Sequence, residues 1–138
     1  MALSNPSTVV SFDAEAALAA IAETVDGSLW ALVEYDAESF NPLYVDDAAL
    51  ALYDDEAQMS AHFERIHSYV YLDFSEMELF ADFFPVAERV EYMVTGMDAF
   101  TLVRVYVADR EGLFMTLDPA EPVRPVVEAV RESVDGSR

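Results

Sequence analysis

The sequence predicts an α+β fold whose helices and strands follow the order α-β-β-α-(α)-β-β-β-α. Two observations support this prediction. The spacing of apolar residues switches between helical and strand periodicity along the chain, and short polar segments typical of hairpins separate neighbouring strands. The 138 residues, of which 54% are hydrophobic, suffice for one domain with its own core. We therefore expect a single domain over residues 1–138, with a flexible polar tail over residues 1–11.

The first helix and the two strands after it have clear patterns. Residues 14–25 carry apolar side chains at helical spacing, and Asp13 precedes them as a predicted N-cap. The next segment, SLWALVEY, is apolar on both faces up to Glu34, which is typical of a central strand covered on both sides. The segment FNPLYV is predicted to be an edge strand, because Pro42 has no N–H to donate to a neighbour.

The stretch YDAESFNPLYVDD, residues 35–47, combines aromatic, proline and acidic residues and resembles a binding loop in composition. Each unusual residue also has a structural explanation. Tyr35 ends one strand, DAES forms a hairpin turn, and Asp46 or Asp47 can cap the following helix. We therefore interpret the stretch as a structural scaffold and not as a binding loop.

The middle of the chain is predicted to be mostly helical. Four apolar residues of this part share one helix face: Met59, Phe63, Ile66 and Val70. Residues 67–72 fit a helix or a strand, because YVYL has high strand propensity. A separate helix is predicted over FSEMELFADFFP, with Ser75 and Glu78 as its capping box.

The segment MELFADFF is apolar on more than one side of the predicted helix. Such a helix lies either deep in a core or at a self-association surface. The sequence leaves both alternatives open. Phe80 and Phe84 are accordingly candidates for an interface.

The last third of the chain predicts three strands, RVEYMV, FTLVRVYVAD and EGLFMTLD, and a final helix over residues 121–134. Arg104 lies in the middle of the second of these strands, within an apolar run. A partly buried arginine requires a carboxylate partner, and Glu34 is the predicted one. The alternatives are that Arg104 anchors an anionic ligand or partner, or that it is simply exposed.

Charge limits the classes of partner. The chain has 27 acidic residues against 7 basic ones, all arginine, and a net charge of −20. Phosphate backbones and anionic membranes attract basic surfaces, so we expect binding to neither nucleic acid nor membrane. So many like charges repel one another unless salt screens them, which predicts a halophilic protein. The N-terminus resembles no signal peptide, and we expect a cytoplasmic location.

Common catalytic and binding motifs are absent from the sequence. There is no cysteine, and the 4 glycines form neither a dinucleotide-binding nor a P-loop pattern. The only histidines, His62 and His67, are five residues apart, whereas the helical zinc motif spaces them by four. Acidic pairs are too abundant to single one out. We expect no catalytic residue, no cofactor and no metal site.

Two resemblances add to these observations. EGLFMTLDPAEPVRPVVEAV and YDAESFNPLYVDDAALALY resemble small acidic haloarchaeal proteins of uncharacterised function. The element order is similar to that of roadblock/LC7 (profilin-like) domains. This similarity implies one five-stranded antiparallel sheet with helices on both faces, in a non-catalytic dimer that pairs through residues 56–72 and RVEYMV. Val90, Tyr92 and Val94 would then lie at the joining edge.

Three hypotheses follow. The first is a halophilic interaction or regulatory module that is homodimeric, binds an unknown protein partner and has no catalytic activity. The second is a ligand-sensing domain with an apolar pocket anchored by Arg104. The third is an enzyme that uses carboxylates. A pocket at Arg104 favours the second, and acids converging with a histidine in a cleft favour the third.

Overall fold

A computed structural model describes residues 2–26 and 28–136 and shows one six-stranded antiparallel sheet in the order β1-β3-β2-β6-β5-β4. The strands are β1 (Leu3–Ser4), β2 (Leu29–Asp36), β3 (Phe40–Val45), β4 (Tyr92–Gly96), β5 (Thr101–Ala108) and β6 (Glu111–Leu117). The helices are α1 (Ala14–Val25), α2 (Asp47–Leu50), α3 (Glu56–His67), α4 (Val70–Phe83) and α5 (Val123–Gly136). The predicted α+β class is confirmed, but the sheet has six strands and not five.

The additional strand is β1, which belongs to the segment predicted as a flexible tail. Leu3 pairs with Val45, and Ser4 pairs with Tyr44. The tail prediction therefore fails for the described part of the segment, residues 2–11; Met1 lies outside the described residues. A strand of two residues is too short to leave a periodic pattern in the sequence.

One face of the sheet packs against α1 and α5. The helix α1 presents small and apolar residues to the sheet, which allows α5 to approach closely. Fully buried strand residues from four strands complete this layer: Leu32, Leu43, Val103, Val105, Leu113, Met115 and Leu117. Helices on both faces explain why β2 is apolar on both sides, as predicted.

The other face packs against α3 and α4. Met59 and Phe63 of α3 and Val70 and Phe74 of α4 are buried here, and Ile66 packs against them. The four residues predicted on one helix face are divided between two helices, because α3 ends at His67 and Val70 begins α4. The strands contribute Ala31, Val33, Tyr35, Val45, Tyr106 and Phe114. This second layer lies beneath the site described below.

The strand β3 is not at the edge of the sheet, contrary to the prediction from Pro42. It lies between β1 and β2. Pro42 is opposite Val33, next to an irregularity in the β2–β3 register, and its carbonyl accepts a hydrogen bond of 2.9 Å from Asn5 Nδ2. The proline is tolerated because a side chain, rather than a regular strand ladder, lies beside it.

The start of α4 differs from the prediction. The helix begins at Val70, and α3 ends at His67, so residues 70–72 are helical and not a strand. The predicted capping box is wrong, because Ser75 lies inside the helix; the N-cap is Tyr69, which makes no side-chain capping bond. Burial of Val70 and Phe74 against the sheet outweighs the strand propensity of this segment.

Candidate interaction surface and groove

The strand β4 forms one edge of the described sheet and is open on its outer side. Tyr106 N donates to Glu91 O, and Met97 N donates to Phe100 O, both at 3.0 Å. Bonded pairs alternate along an antiparallel ladder, so the odd-numbered residues of β4 bond to β5. The backbone N–H of Val94 therefore points to the open side. An unpaired edge of this kind can accept a strand from another chain.

The helix α4 and the segment after it expose a set of large apolar side chains, here called the α4 patch. The exposed fractions are 47% for Leu72, 48% for Leu79, 43% for Phe80, 61% for Phe83, 60% for Phe84 and 99% for Val86. The sequence left a deep core position and a surface as alternatives for this helix. The helix buries only one side, and large apolar groups on the rest are typical of a binding surface.

The predicted interface residues occupy different environments. Val94, Phe80 and Phe84 are exposed, and Val94 lines the same groove as Phe80, which joins β4 to the α4 patch. Val90 lies before β4, which begins at Tyr92 rather than at residue 89, and is half-buried against the α3–α4 layer. Tyr92 is half-buried against the α1–α5 layer. The structure thus brings Phe80 and Phe84 to one exposed surface. Val94 borders this surface at the strand edge, but its side chain is on the same face of β4 as that of Tyr92.

A groove of about 560 Å³ runs between α4 and strands β4 and β5. Apolar side chains form much of its wall, among them Ile66, Phe80 and Met93. Polar residues line the groove as well, among them Arg104, Asp73, Glu76, Thr95 and Tyr35. A concavity that combines apolar walls with polar groups is typical of a small-molecule site.

Arg104 pairs with Asp73 of α4. The partner predicted from the sequence, Glu34, is a different one. The distance from Arg104 Nε to Asp73 Oδ2 is 3.2 Å. Arg104 is opposite Met93 on β4 and Phe114 on β6, and its side chain extends into the α4 layer. The prediction failed because it considered only acids within strands, whereas α4 supplies the nearest carboxylate.

The surroundings of Asp73 change its acidity. Burial raises the pKa of Asp73, the Arg104 guanidinium lowers it, and the Glu76 carboxylate raises it further, so that it remains above its usual value. Glu76, one helical turn along α4, makes no hydrogen bond or ion pair with the described residues. Sequence reasoning missed both acids, although an aspartate on the buried side of an apolar helix was a usable signal.

Two tyrosine hydroxyls lie buried near this ion pair. Tyr35 and Tyr106 are 1% and 3% exposed, and within the described part of the chain neither hydroxyl has a hydrogen-bond partner. Burial raises the pKa of both tyrosines well above the usual range, and Asp73 adds to the effect. Both therefore stay protonated and available as donors at neutral pH.

Glu34, the predicted partner of Arg104, instead fixes the N-terminal segment. Its carboxylate accepts hydrogen bonds from Ser7 Oγ (2.8 Å), from the backbone N–H groups of Thr8, Val9 and Val10 (2.8, 3.2 and 3.1 Å), and from Asn41 Nδ2 (2.7 Å). Burial alone would raise the pKa of Glu34, but these hydrogen bonds outweigh it and hold the pKa below its usual value. This carboxylate is structural.

The stretch 35–47 has the structural contacts that the sequence suggested. Asp36 Oδ1 accepts from the backbone N–H groups of Glu38 and Ser39, which closes the turn between β2 and β3. Asp46 is the N-cap of α2 and accepts from Ala49 N at 2.8 Å. Tyr35 additionally lines the groove, which the scaffold interpretation did not foresee.

The histidines make separate local contacts. His62 Nδ1 lies 2.7 Å from the Tyr53 hydroxyl, and His67 Nε2 lies 2.8 Å from the backbone oxygen of Asp36. Over residues 2–26 and 28–136, no group of three or more potential ligand side chains could hold a metal ion. Within the same ranges, no helix is long and apolar enough to cross a membrane.

Comparison with known protein families gives a match over most of the chain. Residues 15–135 match the family described as Domain of unknown function (DUF7522). The chain belongs to this family. A comparison of the DUF7522 chain with curated proteins finds no match.

Solved structures share the fold. The DUF7522 chain is similar to the gliding protein MglB from Thermus thermophilus, with a TM-score of 0.54 and 15% identity over 96% of this chain and 98% of that one. It is also similar to MglB with tetrameric arrangement, with a TM-score of 0.56 and 15% identity over 97% and 99% of the two chains. At this identity the likeness shows a common fold, and it agrees with the roadblock-like layout inferred from element order.

Proposed function

We propose that the protein is a non-catalytic interaction or regulatory module that acts as a homodimer, with β4 and the α4 patch as the contact surface. The observation that carries this proposal is the continuity of the two features. Leu72 and Phe80 line one groove with Val94, so the open strand edge and the exposed apolar side chains form one surface. A second copy related by a two-fold axis could cover both.

The hazard of leaving apolar side chains and a strand edge exposed supports the same proposal. Exposed aromatic side chains on α4 and an unpaired edge strand are both aggregation hazards in a monomer. Pairing of β4 with β4 of a second copy would satisfy the outward backbone groups and bury the patch. The fold neighbour whose structure is described as tetrameric MglB shows that a chain of this fold can self-associate.

We also propose a cellular setting from the charge. A net charge of −20 on 138 residues suits a cytoplasm rich in salt, and the same charge would disfavour nucleic acid and anionic membranes. The further partner of the dimer would be a protein. Its identity is open.

A carboxylate enzyme is less well supported by the groove. His67, Asp73 and Glu76 all line it, but His67 bonds to the backbone of Asp36, and Asp73 is paired with Arg104. His67 and Asp73 are therefore held by structural contacts. A ligand-sensing role has a specific observation in its favour, the position of Arg104 in the groove, and is developed in the next section.

The strand edge can be tested by Val94→Pro. This change removes a backbone N–H that points outward and leaves the β4–β5 ladder intact, and Val94→Thr is the matched control that retains the N–H. Sedimentation equilibrium in molar KCl should give twice the chain mass of 15.4 kDa for wild type and Val94→Thr, and the single mass for Val94→Pro. A wild-type monomer would refute the proposal.

The α4 patch needs its own control. Phe84→Glu places a charge in the proposed contact, whereas Leu52→Glu places one at an exposed leucine (76%) outside it. We expect Phe84→Glu to weaken association by at least about tenfold and Leu52→Glu to leave it unchanged. Equal effects of the two substitutions would show that charge in general, and not this surface, controls association.

A further inference from the structure

We propose that the groove between α4 and strands β4 and β5 binds a small zwitterion with an apolar body, of which an apolar amino acid is the simplest example. The proposal does not require dimer formation, although the groove shares Leu72, Phe80 and Val94 with the proposed dimer contact. It rests on the pairing of one cationic and one anionic group that lack full partners, beside an apolar wall in a concavity of suitable size.

Arg104 would bind the carboxylate of the ligand. Its guanidinium pairs with Asp73, with Nε 3.2 Å from Oδ2, and no other described residue forms an ion pair or hydrogen bond with it. The side chain is 27% exposed and lines the groove. A guanidinium presents five N–H donors in a planar fork, and a single carboxylate does not use all of them, so donors remain for a second carboxylate.

Glu76 would bind the ammonium group of the ligand. It is exposed, lines the groove, and lies three residues after Asp73, on the same side of α4. The two acids are close enough to affect each other electrostatically, which places Glu76 near the Arg104–Asp73 pair. An amino acid bears its carboxylate and ammonium groups on the same carbon, so such a ligand would contact Arg104 and Glu76 together.

The remaining lining suits an apolar side chain. Ile66, Phe80 and Met93 line the groove beside the charged groups. The volume of about 560 Å³ lies within the range of about 300–1,000 Å³ found for small-molecule sites. It leaves ample space for a side chain as large as that of phenylalanine.

The hydroxyl of Tyr35 offers a third polar contact. The side chain is 1% exposed and lines the groove, and within the described residues the hydroxyl has no hydrogen-bond partner. A buried donor without a partner is costly, so a ligand oxygen that accepts from it would gain stability. This contact is independent of the two charged groups.

Charge balance favours a zwitterion over a simple ion. Asp73 and Glu76 outweigh Arg104 by one negative charge, and the whole chain carries −20, so an anion would be repelled. A simple cation would give the Arg104 guanidinium no further partner. A molecule with both charges satisfies both groups and adds no net charge.

Isothermal titration calorimetry in molar KCl tests the proposal with three probes. We expect L-phenylalanine to bind more tightly than 3-phenylpropanoate, which lacks the ammonium group, and than phenethylamine, which lacks the carboxylate. Glu76→Gln should weaken the binding of L-phenylalanine at least about fivefold and should not weaken that of 3-phenylpropanoate. Arg104→Gln should weaken the binding of L-phenylalanine and should not weaken that of phenethylamine.

Two results would overturn the proposal. One is the absence of binding of all three probes up to millimolar concentration. The other is binding of L-phenylalanine that Glu76→Gln and Arg104→Gln both leave unaffected. Repeating the titration with Phe84→Glu, a substitution outside the groove lining, separates this proposal from the dimer, because a monomer that still binds L-phenylalanine upholds the ligand site alone.

Discussion

At the scale of single residues, Glu34 shows how a fully buried carboxylate can remain charged. Five donors from two segments, residues 7–10 and Asn41, surround it, and their hydrogen bonds lower its pKa although burial opposes this. Nothing in the sequence signals this arrangement, because the donors are mostly backbone N–H groups of residues 8–10, which carry no sequence information. The sequence did indicate that a charged residue lay on a buried strand.

Glu34→Gln should lower the free energy of unfolding by about 2–4 kcal/mol at pH 7, because an amide NH₂ would face backbone donors. The lowered pKa means that the wild-type stabilisation is complete above the unfolded value of about 4.5 and is lost as pH falls through the lower folded value. In urea unfolding, the difference in the free energy of unfolding between wild type and Glu34→Gln should be smaller at pH 3 than at pH 7. A constant difference would contradict this account.

Two strand glycines provide a matched pair of substitutions. A Cβ on Gly112 would lie 2.7 Å from Val105 O and 3.0 Å from the Tyr35 hydroxyl, whereas one on Gly96 would meet nothing within 4 Å. Gly112→Ala should therefore lower the free energy of unfolding by about 1–3 kcal/mol. Gly96→Ala should be neutral or slightly stabilising in thermal unfolding. Equal effects would show that the close approach at Gly112 relaxes without cost.

At the scale of elements, the sequence correctly predicted the helices and strands that have a strong apolar periodicity of their own. The helix α1 and strand β2 are long and strongly patterned, and the structure has both close to the predicted bounds. The strand β1 and the start of α4 were missed, because β1 has two residues and α4 begins in a segment of high strand propensity. The Arg104–Asp73 pair was missed for a related reason, since it joins a helix to a strand distant in sequence.

The two sides of α4 should respond differently to substitution. Phe74 is 7% exposed, and its ring lies near the ring of Tyr35 and the guanidinium of Arg110. Phe83, in contrast, is 61% exposed. Phe74→Ala should lower the free energy of unfolding by about 3–5 kcal/mol. Phe83→Ser should leave the stability of the monomeric Val94→Pro background nearly unchanged, as measured by urea unfolding. A large loss from Phe83→Ser would place that side chain in the core.

At the scale of the whole molecule, the net charge of −20 predicts a stability that depends on salt. Raising the ionic strength from about 0.1 M to about 1 M shortens the screening length from about 10 Å to about 3 Å and reduces repulsion between surface acids. The thermal midpoint should therefore rise steadily with KCl. The triple variant Glu23→Gln, Asp82→Asn and Asp98→Asn should depend less on KCl, and an unchanged slope would contradict the charge explanation.

The central claim, that two copies meet at β4, is tested most directly by distances between spin labels. The chain has no cysteine, so Gly96→Cys and Ser4→Cys each carry one label, at the two opposite edges of the sheet. Strand spacings of about 4.8 Å predict a label separation below about 25 Å for Gly96→Cys and about 50 Å for Ser4→Cys. A short distance at residue 4, or none at residue 96, would contradict pairing through β4.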